Sequence, residues 1–513
     1  MLILGRIAFV ATAALLICGN AASAGRALLQ DAPTDEIVCD VAVVGGGPGG
    51  VYSAYRLLEA NASSNVCLFE TNNRVGGRVY SLRNLGPKKD LTLDMGAYRY
   101  MPIAQPLITD LIERLLELPN RLYQPGIADY RVVLDSEGNN AGFATYVEKL
   151  FGMAEDMGLK ASFSTHIDTV DQHMGGFLLT TASNTSIRAN KVVLNLATRP
   201  LHRLLQNSNL PGASRWNSQL EAPYINRATK LYLYYPQAWW IQQGLTNGSI
   251  QYVDTEWPPV NVPVIGRYHD AQAKCPLTTG NGYIDYHYNG TAPVDTDSCY
   301  GYFQATYTSD AGMTNISHLP LDYLVDYAGN LDTTTPYSVW DNSTVKGAKL
   351  LKDAHARLMA YHANASIELP PGTQDRLPTE AIVAFWDSAI TWIGGGWSSM
   401  KDPEDSGLAE SVDSAVKPYA NLELYVANEA YSTQQGWSEG SLTMTENYLQ
   451  RHFNVGIPKW MRPSTWPQIN FVVDTFNDYE EAPQGITIQP VTAQNMTALT
   501  TPADTNGTAT TSG

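Results

Sequence analysis

A glycine-rich turn between a strand and a helix constrains the fold of this chain more than any other feature. The apolar run from Asp40 to Val44 predicts a buried parallel strand, and a helical stretch follows from about Gly49 to Ala60. The turn between them has the spacing G-x-G-x-x-G over residues 45–50. Here the first glycine makes the turn, the second lets the backbone approach a pyrophosphate, and the third packs helix against strand. The sequence therefore predicts a dinucleotide-binding βαβ unit.

An acidic residue at the end of the next strand strengthens this prediction. Val66 to Glu70 forms a second short apolar run, and its last residue follows the glycine turn at the spacing typical of such units. A carboxylate at that position accepts hydrogen bonds from ribose hydroxyls. The cofactor-binding residues predicted from this unit are Gly45, Gly47, Pro48, Gly49, Gly50 and Glu70.

Two further motifs resemble the flavin amine oxidase superfamily. After Glu70, the segment Arg74-Val75-Gly76-Gly77-Arg78 resembles the superfamily's RxGGR motif, whose arginines can pair with the cofactor diphosphate. Near the other end, a strand from Leu422 to Ala427, then Asn428-Glu429 and Gly436-Trp437-Ser438, resembles the superfamily's C-terminal segment. The resemblance implies FAD rather than NAD, and it adds to the cofactor-binding set Arg78, Glu429, Gly436, Trp437 and Ser438.

One position departs from the superfamily pattern. Asn428 stands where the superfamily usually has glycine before the glutamate that contacts the ribityl chain. Because asparagine tolerates the positive φ that glycine often supplies, we expect this change to be mild.

The loop from Asp94 to Pro102 distinguishes between classes of amine oxidase. In the superfamily this loop runs beside the flavin, which adds Gly96, Ala97 and Tyr98 as cofactor-binding residues. L-amino-acid oxidases and amino-acid monooxygenases carry here an arginine that binds the substrate carboxylate, and Arg99 matches it, with one extra residue before Pro102. A guanidinium suits this role because it forms two parallel bonds to a carboxylate and stays charged.

The resemblance also implies residues for the reaction itself. Lys230, on a predicted strand, is similar to the lysine that holds a water near the flavin N5, so it is the predicted catalytic residue. Trp437 would form an aromatic wall of the substrate site, and Tyr286 or Tyr288 would supply a second wall or a hydroxyl. Trp386 and Trp397 are candidates to close the pocket, although any of these aromatic residues is also a plausible core residue.

These patterns predict an α/β fold, with a discontinuous doubly wound FAD-binding domain of the GxGxxG type and an α+β substrate-binding domain with a mixed sheet. Alternating residues from Tyr283 to Tyr288 and from Tyr300 to Tyr307 predict a hairpin. The segment between Arg99 and Gly142 is too short for the long helical domain of many L-amino-acid oxidases. The expected bounds are 34–98, 142–226 and 418–455 for the FAD-binding domain, 99–141 and 227–417 for the substrate-binding domain, and 484–513 for a disordered tail.

The N-terminus predicts export. Arg6, the apolar run Ile7 to Cys18 and the small residues Ala22-Ser23-Ala24 are typical of a cleaved signal peptide over residues 1–24, with a membrane anchor as the alternative. We therefore expect a protein secreted to the extracellular or periplasmic space, without a membrane partner after cleavage, and several Asn-x-Ser/Thr sequons agree with a glycoprotein. The net charge of −17 argues against nucleic acid as a partner.

Cysteine positions carry two expectations. Cys275 and Cys299 bracket strand-like runs, which favours a disulfide between them, whereas Cys39 and Cys67 on neighbouring predicted strands are either bonded or free and buried. No cysteine follows Cys299, so the route by which some amine oxidases attach FAD is missing and we expect non-covalent FAD. No metal site is predicted.

The resemblance implies a secreted FAD-dependent L-amino-acid oxidase. Such an enzyme converts an L-amino acid and dioxygen to a 2-oxo acid, ammonium and hydrogen peroxide. The alternatives are an amide-forming amino-acid 2-monooxygenase and a primary-amine or polyamine oxidase, the last disfavoured by Arg99. A flavin-free binding protein would not need the intact glycine motifs. The expected partners are the amino acid and dioxygen, and the oligomeric state stays open, a homodimer included.

Overall fold

The computed structural model of the protein describes most of the chain from Ile37 to Asn470. The described ranges are 37–123, 129–210, 223–246, 249–254, 262–280, 282–286, 292–309, 335–386, 394–400, 415–419 and 421–470. The expected signal peptide, Tyr288 and the expected disordered tail lie outside these residues. Within the described ranges, no helix is long and apolar enough to cross a membrane.

Strands and helices alternate in the first part of the chain, and strands predominate in the middle. The described strands are β1 (Ile37–Val44), β2 (Val66–Phe69), β3 (Ser81–Leu85), β4 (Leu91–Asp94), β5 (Asn120–Leu122), β6 (Arg131–Val133), β7 (Lys160–Ser162), β8 (Ile167–His173), β9 (Gly176–Thr181), β10 (Ser186–Leu194), β11 (Pro223–Asn226), β12 (Ala228–Tyr235), β13 (Ser249–Asp254), β14 (Val262–Pro276), β15 (Tyr283–Asp285), β16 (Tyr300–Ser309), β17 (Tyr337–Asp341), β18 (Glu380–Trp386), β19 (Trp397–Met400) and β20 (Leu424–Val426). The described α-helices are α1 (Pro48–Glu59), α2 (Pro106–Asp110), α3 (Thr145–Asp156), α4 (Thr198–Asn207), α5 (Trp239–Gln242), α6 (Val345–Asn364), α7 (Ser438–His452) and α8 (Thr465–Ile469).

The first sheet has the order β7-β2-β1-β10-β9-β8, and β20 pairs with the second half of β10. Strands β7, β2, β1, β10 and β20 run parallel, whereas β9 and β8 are antiparallel. The apolar residues that predicted β1 are buried, as expected of a parallel strand covered on both faces. The prediction of an α/β fold with a doubly wound dinucleotide-binding sheet is confirmed.

The parallel arrangement brings the carboxyl ends of four strands to one edge of this sheet. Gly45 follows β1, Glu70 follows β2, Asn195 follows β10 and Ala427 follows β20. Ligands of open α/β sheets bind beyond this edge, where helix N-termini and strand ends meet. The fold therefore collects residues from both ends of the chain around one site.

The second sheet is antiparallel, in the order β13-β14-β16-β12-β18-β17, with β15 paired to β14. Every residue of strand β12 is buried. Because successive side chains of a strand point to opposite faces, the two faces of β12 pack against different clusters. Leu231 and Leu233 belong to the same hydrophobic cluster as residues of α6, whereas Tyr232 and Tyr234 belong to a cluster that includes residues of β3 and β4. This packing holds β12 beneath the loop that follows β4.

One sequence prediction about local structure was wrong. The expected hairpin does not form, because β15 and β16 both pair with β14, which lies between them. Strand β14 is 15 residues long and includes several polar residues, so the apolar alternation did not reveal it. Helix α2 continues directly into a π-helix that runs from Leu111 to Leu115.

Two disulfides are present. The predicted bond between Cys275 and Cys299 is confirmed. Cys39 and Cys67 are also bonded, with a Cα–Cα distance of 5.9 Å, because they lie on the neighbouring strands β1 and β2. All four cysteines of the described residues are thus joined to one another.

Candidate functional site

A cavity of about 560 Å³ extends from the edge of the parallel sheet to the antiparallel sheet. Its first part, here called the nucleotide end, is lined by Gly45, Gly47, Glu70 and Asn195. Its second part, the cation end, is lined by Arg99, Lys230, Arg267, Tyr307 and Trp386. A cavity of this volume is large enough for a cofactor or a small-molecule ligand.

Close backbone contacts shape the nucleotide end. Gly45 has a φ of +99°, and a Cβ there would overlap the carbonyl oxygen of Asn195. A Cβ on Gly50 would overlap the carbonyl oxygen of Gly45, so the third glycine holds α1 against β1. Gly47 is the N-cap of α1, and the first turn of the helix contains no acidic residue. The N–H groups of this turn therefore offer a positive end to an anion.

Glu70 is fixed beside the glycine turn. Its Oε2 accepts a hydrogen bond from the Gly46 amide at 2.6 Å, and its Oε1 accepts from the amide and the side chain of Asn72 at 2.7 and 2.9 Å. The residue is 6% exposed, yet it lines the cavity. A carboxylate oxygen can accept more than one hydrogen bond, so these contacts orient Glu70 without exhausting it.

Beside the cavity, an ion pair joins two residues that are far apart in the sequence. Arg78 Nη1 donates to Glu429 Oε1 at 2.6 Å, and Glu429 Oε2 accepts from the Gly436 amide at 2.7 Å. The same turn places Trp437 as the N-cap of α7 and Ser438 as its first residue. These residues line the cavity between its two ends.

Asn428 does not adopt the positive φ that its place in the motif suggested. Its φ is −133°, which is extended, and its side chain accepts a hydrogen bond from the Ala430 amide at 2.9 Å. The departure from glycine is therefore compatible with this turn, and asparagine acts here as a cap.

Lys230 lies on β12 beneath the loop that follows β4. Its Nζ donates to the carbonyl oxygens of Asp94 and Gly96 at 2.8 and 2.7 Å. The residue is 3% exposed. Burial lowers the pKa of Lys230 to about 7; the Asp94 carboxylate opposes this effect, and the charges of Arg267 and Arg99 add to it.

Arg99 is surrounded by aromatic rings. Its guanidinium carbon lies 4.0 Å from the ring centre of Tyr130 and 4.9 Å from that of Tyr98. Tyr130 in turn stacks on Trp437, with 6.0 Å between ring centres. Stacking of this kind orients a guanidinium plane without neutralising its charge.

Two residues of the cation end, Arg267 and Tyr307, were not predicted from the sequence, and Trp386 was a candidate to close the pocket. Arg267 on β14 donates to the Tyr98 hydroxyl at 2.6 Å, and its guanidinium carbon lies 4.3 Å from the ring centre of Tyr307 on β16. Trp386 on β18, named as a candidate, donates to the Met95 carbonyl at 2.9 Å. Arg267 and Tyr307 belong to no motif, and only the pairing of the antiparallel strands brings them beside Lys230.

The structure brings most of the predicted site residues to one cavity. Gly49 and Gly50 do not line it. They pack closely against the backbone carbonyl groups of Ala427 and Gly45, respectively. Tyr286 does not reach it either; it packs against the hydrophobic cluster beneath α6. The predicted residues that line the cavity are Gly45, Gly47, Pro48, Glu70, Arg78, Gly96, Ala97, Tyr98, Arg99, Lys230, Glu429, Gly436, Trp437 and Ser438, together with the candidates Trp386 and Trp397.

The residues of the nucleotide end fit FAD. The glycine turn gives a pyrophosphate close access to backbone N–H groups, and Glu70 offers a carboxylate to a ribose. The four cysteines of the described residues are disulfide-bonded, so none of them is available to attach the flavin. Among the described residues, no group of three His, Cys, Asp or Glu side chains is arranged to hold a metal ion.

Comparisons with known proteins agree with this geometry over part of the chain. A family model described as an NAD(P)-binding Rossmann-like domain matches residues 43–115. Aplysianin-A of Aplysia kurodai is 35% identical over 105 residues, 20% of this chain and 18% of that protein. Achacin of Lissachatina fulica is 41% identical over 87 residues, and tryptophan 2-monooxygenase of Pseudomonas savastanoi is 34% identical over 89 residues; each match covers 17% of this chain and 16% of the relative.

The matched segments thus cover less than a fifth of each of these relatives. A solved structure of a putrescine oxidase variant covers 80% of this chain and 98% of its own, with 14% identity and a TM-score of 0.49. The resemblance that the motifs predicted is confirmed where the sequences match. Residues 43–115 thus match a Rossmann-like dinucleotide-binding domain.

Proposed function

We propose that the protein is an FAD-dependent L-amino-acid oxidase. One observation carries the proposal: Arg99, a guanidinium suited to a carboxylate, lines the same cavity as the glycine turn and Glu70. A primary amine or polyamine has no carboxylate, and it would gain nothing from a cation at this place. We therefore favour an amino acid over an amine.

Bound FAD would accept a hydride from the substrate Cα and return the electrons to dioxygen as hydrogen peroxide. In this proposal, Gly45, Gly47 and the N-terminus of α1 bind the diphosphate, and Glu70 binds a ribose. The Arg78–Glu429 pair, Gly436 and Ser438 hold the middle of the cofactor. Gly96, Ala97 and Tyr98 lie on the loop between the two ends of the cavity.

Arg99 would fix the orientation of the substrate. Two parallel hydrogen bonds to the α-carboxylate leave the Cα little freedom to rotate, which presents its hydrogen toward the cofactor. The rings of Tyr98 and Tyr130 keep the guanidinium in place, and Trp437 extends this aromatic wall. The same aromatic rings exclude water from the reacting carbon.

Lys230 would handle a proton. With a pKa near 7, a large fraction of this side chain is a neutral amine at neutral pH. The amine has two N–H groups, which match the carbonyl oxygens of Asp94 and Gly96. Its lone pair then remains for a water or a substrate ammonium in the cavity, so Lys230 can accept a proton there.

A second candidate is an amide-forming amino-acid 2-monooxygenase. It is favoured by the match to tryptophan 2-monooxygenase, and Arg99 would serve that reaction equally well. The two reactions differ in what happens after the amino acid is oxidised, so the products distinguish them.

The test is to purify the protein, record its flavin spectrum and incubate it with L-amino acids, D-amino acids and amines. Peroxide, ammonium and a 2-oxo acid from L-amino acids are the expected products. An amide with loss of carbon dioxide would move the assignment to the monooxygenase. Peroxide from amines without peroxide from amino acids would overturn both assignments.

We also propose secretion, since residues 1–24 have the pattern of a signal peptide and the cysteines of the described residues are disulfide-bonded. Mass spectrometry of the exported protein would establish its first residue and the occupancy of its sequons. We likewise propose the bounds expected from the sequence for the FAD-binding and substrate-binding domains.

A further inference from the structure

We propose that the cation end takes an acidic L-amino acid, with Arg99 at the α-carboxylate and Arg267 at the side-chain carboxylate. This inference rests on the proposed oxidase function and adds the class of substrate. It starts from Arg267, a second guanidinium in the lining of the cavity that the expected mechanism does not use.

The spacing of the two guanidiniums suits one small dicarboxylate. Both contact the same residue: Arg99 lies over the ring of Tyr98, and Arg267 donates to its hydroxyl at 2.6 Å. Only the side chain of Tyr98 therefore needs to be spanned between the two guanidiniums, since one lies over its ring and the other is bonded to its hydroxyl. Tyr307 lies against the Arg267 guanidinium and limits its movement. Two held cations at such a distance can each bind one carboxylate of the same molecule.

The charged residues that line the cavity, among those that the structure describes, favour a dianion at the cation end. The carboxylates that line the cavity are those of Glu70, Asp168 and Glu429. Glu70 is bonded beside the glycine turn, Asp168 accepts from Asn207 at 3.2 Å, and Glu429 is paired with Arg78. Their partners therefore hold all three away from the cation end.

The buried carboxylate of Asp94 leaves this balance of charge unchanged. Asp94 does not line the cavity, and its Oδ1 accepts hydrogen bonds from Ser81 and from the Phe143 amide at 2.5 and 2.9 Å. Among the described lining residues, Arg99 and Arg267 therefore give the cation end an excess of positive charge, to which Lys230 adds in its protonated form. A lysine or arginine substrate would bring its side-chain cation toward Arg267, which is unfavourable. The net charge of −17 on the whole chain acts against the approach of an acidic substrate, so the attraction must be local.

Matched substrates test the inference in the wild-type holoenzyme. L-Glutamate and L-glutamine, like L-aspartate and L-asparagine, have similar shapes and differ in charge. We expect kcat/KM to be about 10- to 100-fold higher for the acid than for its amide in at least one pair. A preference for the amides, or for L-lysine, would overturn the inference and leave the oxidase function standing.

The variant Arg267→Gln tests the residue. We expect it to lower kcat/KM for the acids by about 10- to 100-fold and to change that for the amides by less than about threefold. Lys274→Gln is the matched control, because Lys274 lies on the same strand and donates to Asn139 instead of lining the cavity. Equal losses for acids and amides in Arg267→Gln would overturn the assigned role, and Arg267→Lys should restore part of the preference.

A binding measurement separates this inference from the proposed function. Glutarate and butyrate, which are not substrates of an amine oxidation, are titrated into the holoenzyme while the flavin absorbance is recorded. Tighter binding of glutarate that disappears in Arg267→Gln supports the two-carboxylate site even if no amino acid is oxidised. Equal binding of both acids would overturn it even if amino acids are oxidised.

Discussion

The nucleotide end and the cation end of the cavity offer different kinds of atoms to a ligand. At the nucleotide end the contacts come from backbone groups and from Glu70, which amide groups already hold in place. At the cation end they come from long charged side chains, Arg99, Lys230 and Arg267, stacked on tyrosine rings or bonded to carbonyl groups. The first end depends on the path of the chain, whereas the second depends on individual side chains.

The two ends of the cavity should differ in how they tolerate substitution. A backbone site tolerates few substitutions, because any side chain at a close contact displaces the chain itself. A side-chain site can change its ligand through one substitution while the surrounding fold stays intact. We therefore expect substitutions at the nucleotide end to affect every substrate, and substitutions at the cation end to affect substrates selectively.

The largest effect is expected from Gly50→Val. The added side chain would overlap the Gly45 carbonyl oxygen, push α1 from β1 and abolish binding of FAD, with a loss of stability of about 3 kcal/mol. The measurements are flavin absorbance after purification and thermal unfolding. Gly152→Ala on α3 is the control, since no atom outside its own helix lies near that Cβ, and it should stabilise by roughly 0.5–1 kcal/mol. Wild-type affinity for FAD in Gly50→Val would show that close backbone packing does not build this site.

The next effect is expected from Arg99→Ala. Loss of the guanidinium should lower kcat/KM for amino acids by about 10²- to 10³-fold, while FAD stays bound because the glycine turn is untouched. Each amino acid is compared with its decarboxylated amine, for which the loss should be small. Arg188→Ala, an exposed arginine on β10, provides the control for removing a positive charge. A similar loss for amino acid and amine would remove Arg99 from carboxylate binding.

The contrast between the two ends also explains what the sequence could predict. The nucleotide end is encoded by short segments, residues 45–50 and Glu70, whose spacing alone fixes strand, turn and helix. Cys39 and Cys67 lie on two strands of that same unit, yet only the structure showed that they are bonded. Local spacing thus predicted the fold of this region and most of the residues that line its part of the cavity.

The cation end could not be predicted in the same way. Arg267 and Tyr307 belong to strands β14 and β16, and their approach to Lys230 depends on pairing between segments far apart in the chain. Tyr286, which was expected in the substrate site, packs elsewhere, because β15 pairs with the C-terminal end of β14. Alternation states which residues share a face, but it does not state which sheet neighbour that face meets.

A smaller effect is expected from Lys230→Met. In the wild type, kcat/KM should rise with pH through about 7, because the amine that accepts a proton forms as the ammonium of Lys230 loses its own. The variant should lose this limb and about 100-fold in rate, with the flavin still bound. The readout is the pH profile from 5.5 to 9.5, measured for both proteins with the same substrate. An unchanged limb near pH 7 would assign it to another group.

The smallest effect is expected from Asn428→Gly, which restores the residue usual in flavin amine oxidases. Because Asn428 is extended and caps the Ala430 amide, glycine would remove one hydrogen bond and add freedom to the unfolded chain. We expect a loss of about 0.5–1 kcal/mol in unfolding free energy and no change in the affinity for FAD, measured by denaturant titration and by flavin release. Tighter FAD binding in the variant would show that this turn needs a conformation that asparagine resists. Backbone conformation would then determine FAD affinity in the C-terminal segment as well as at the nucleotide end.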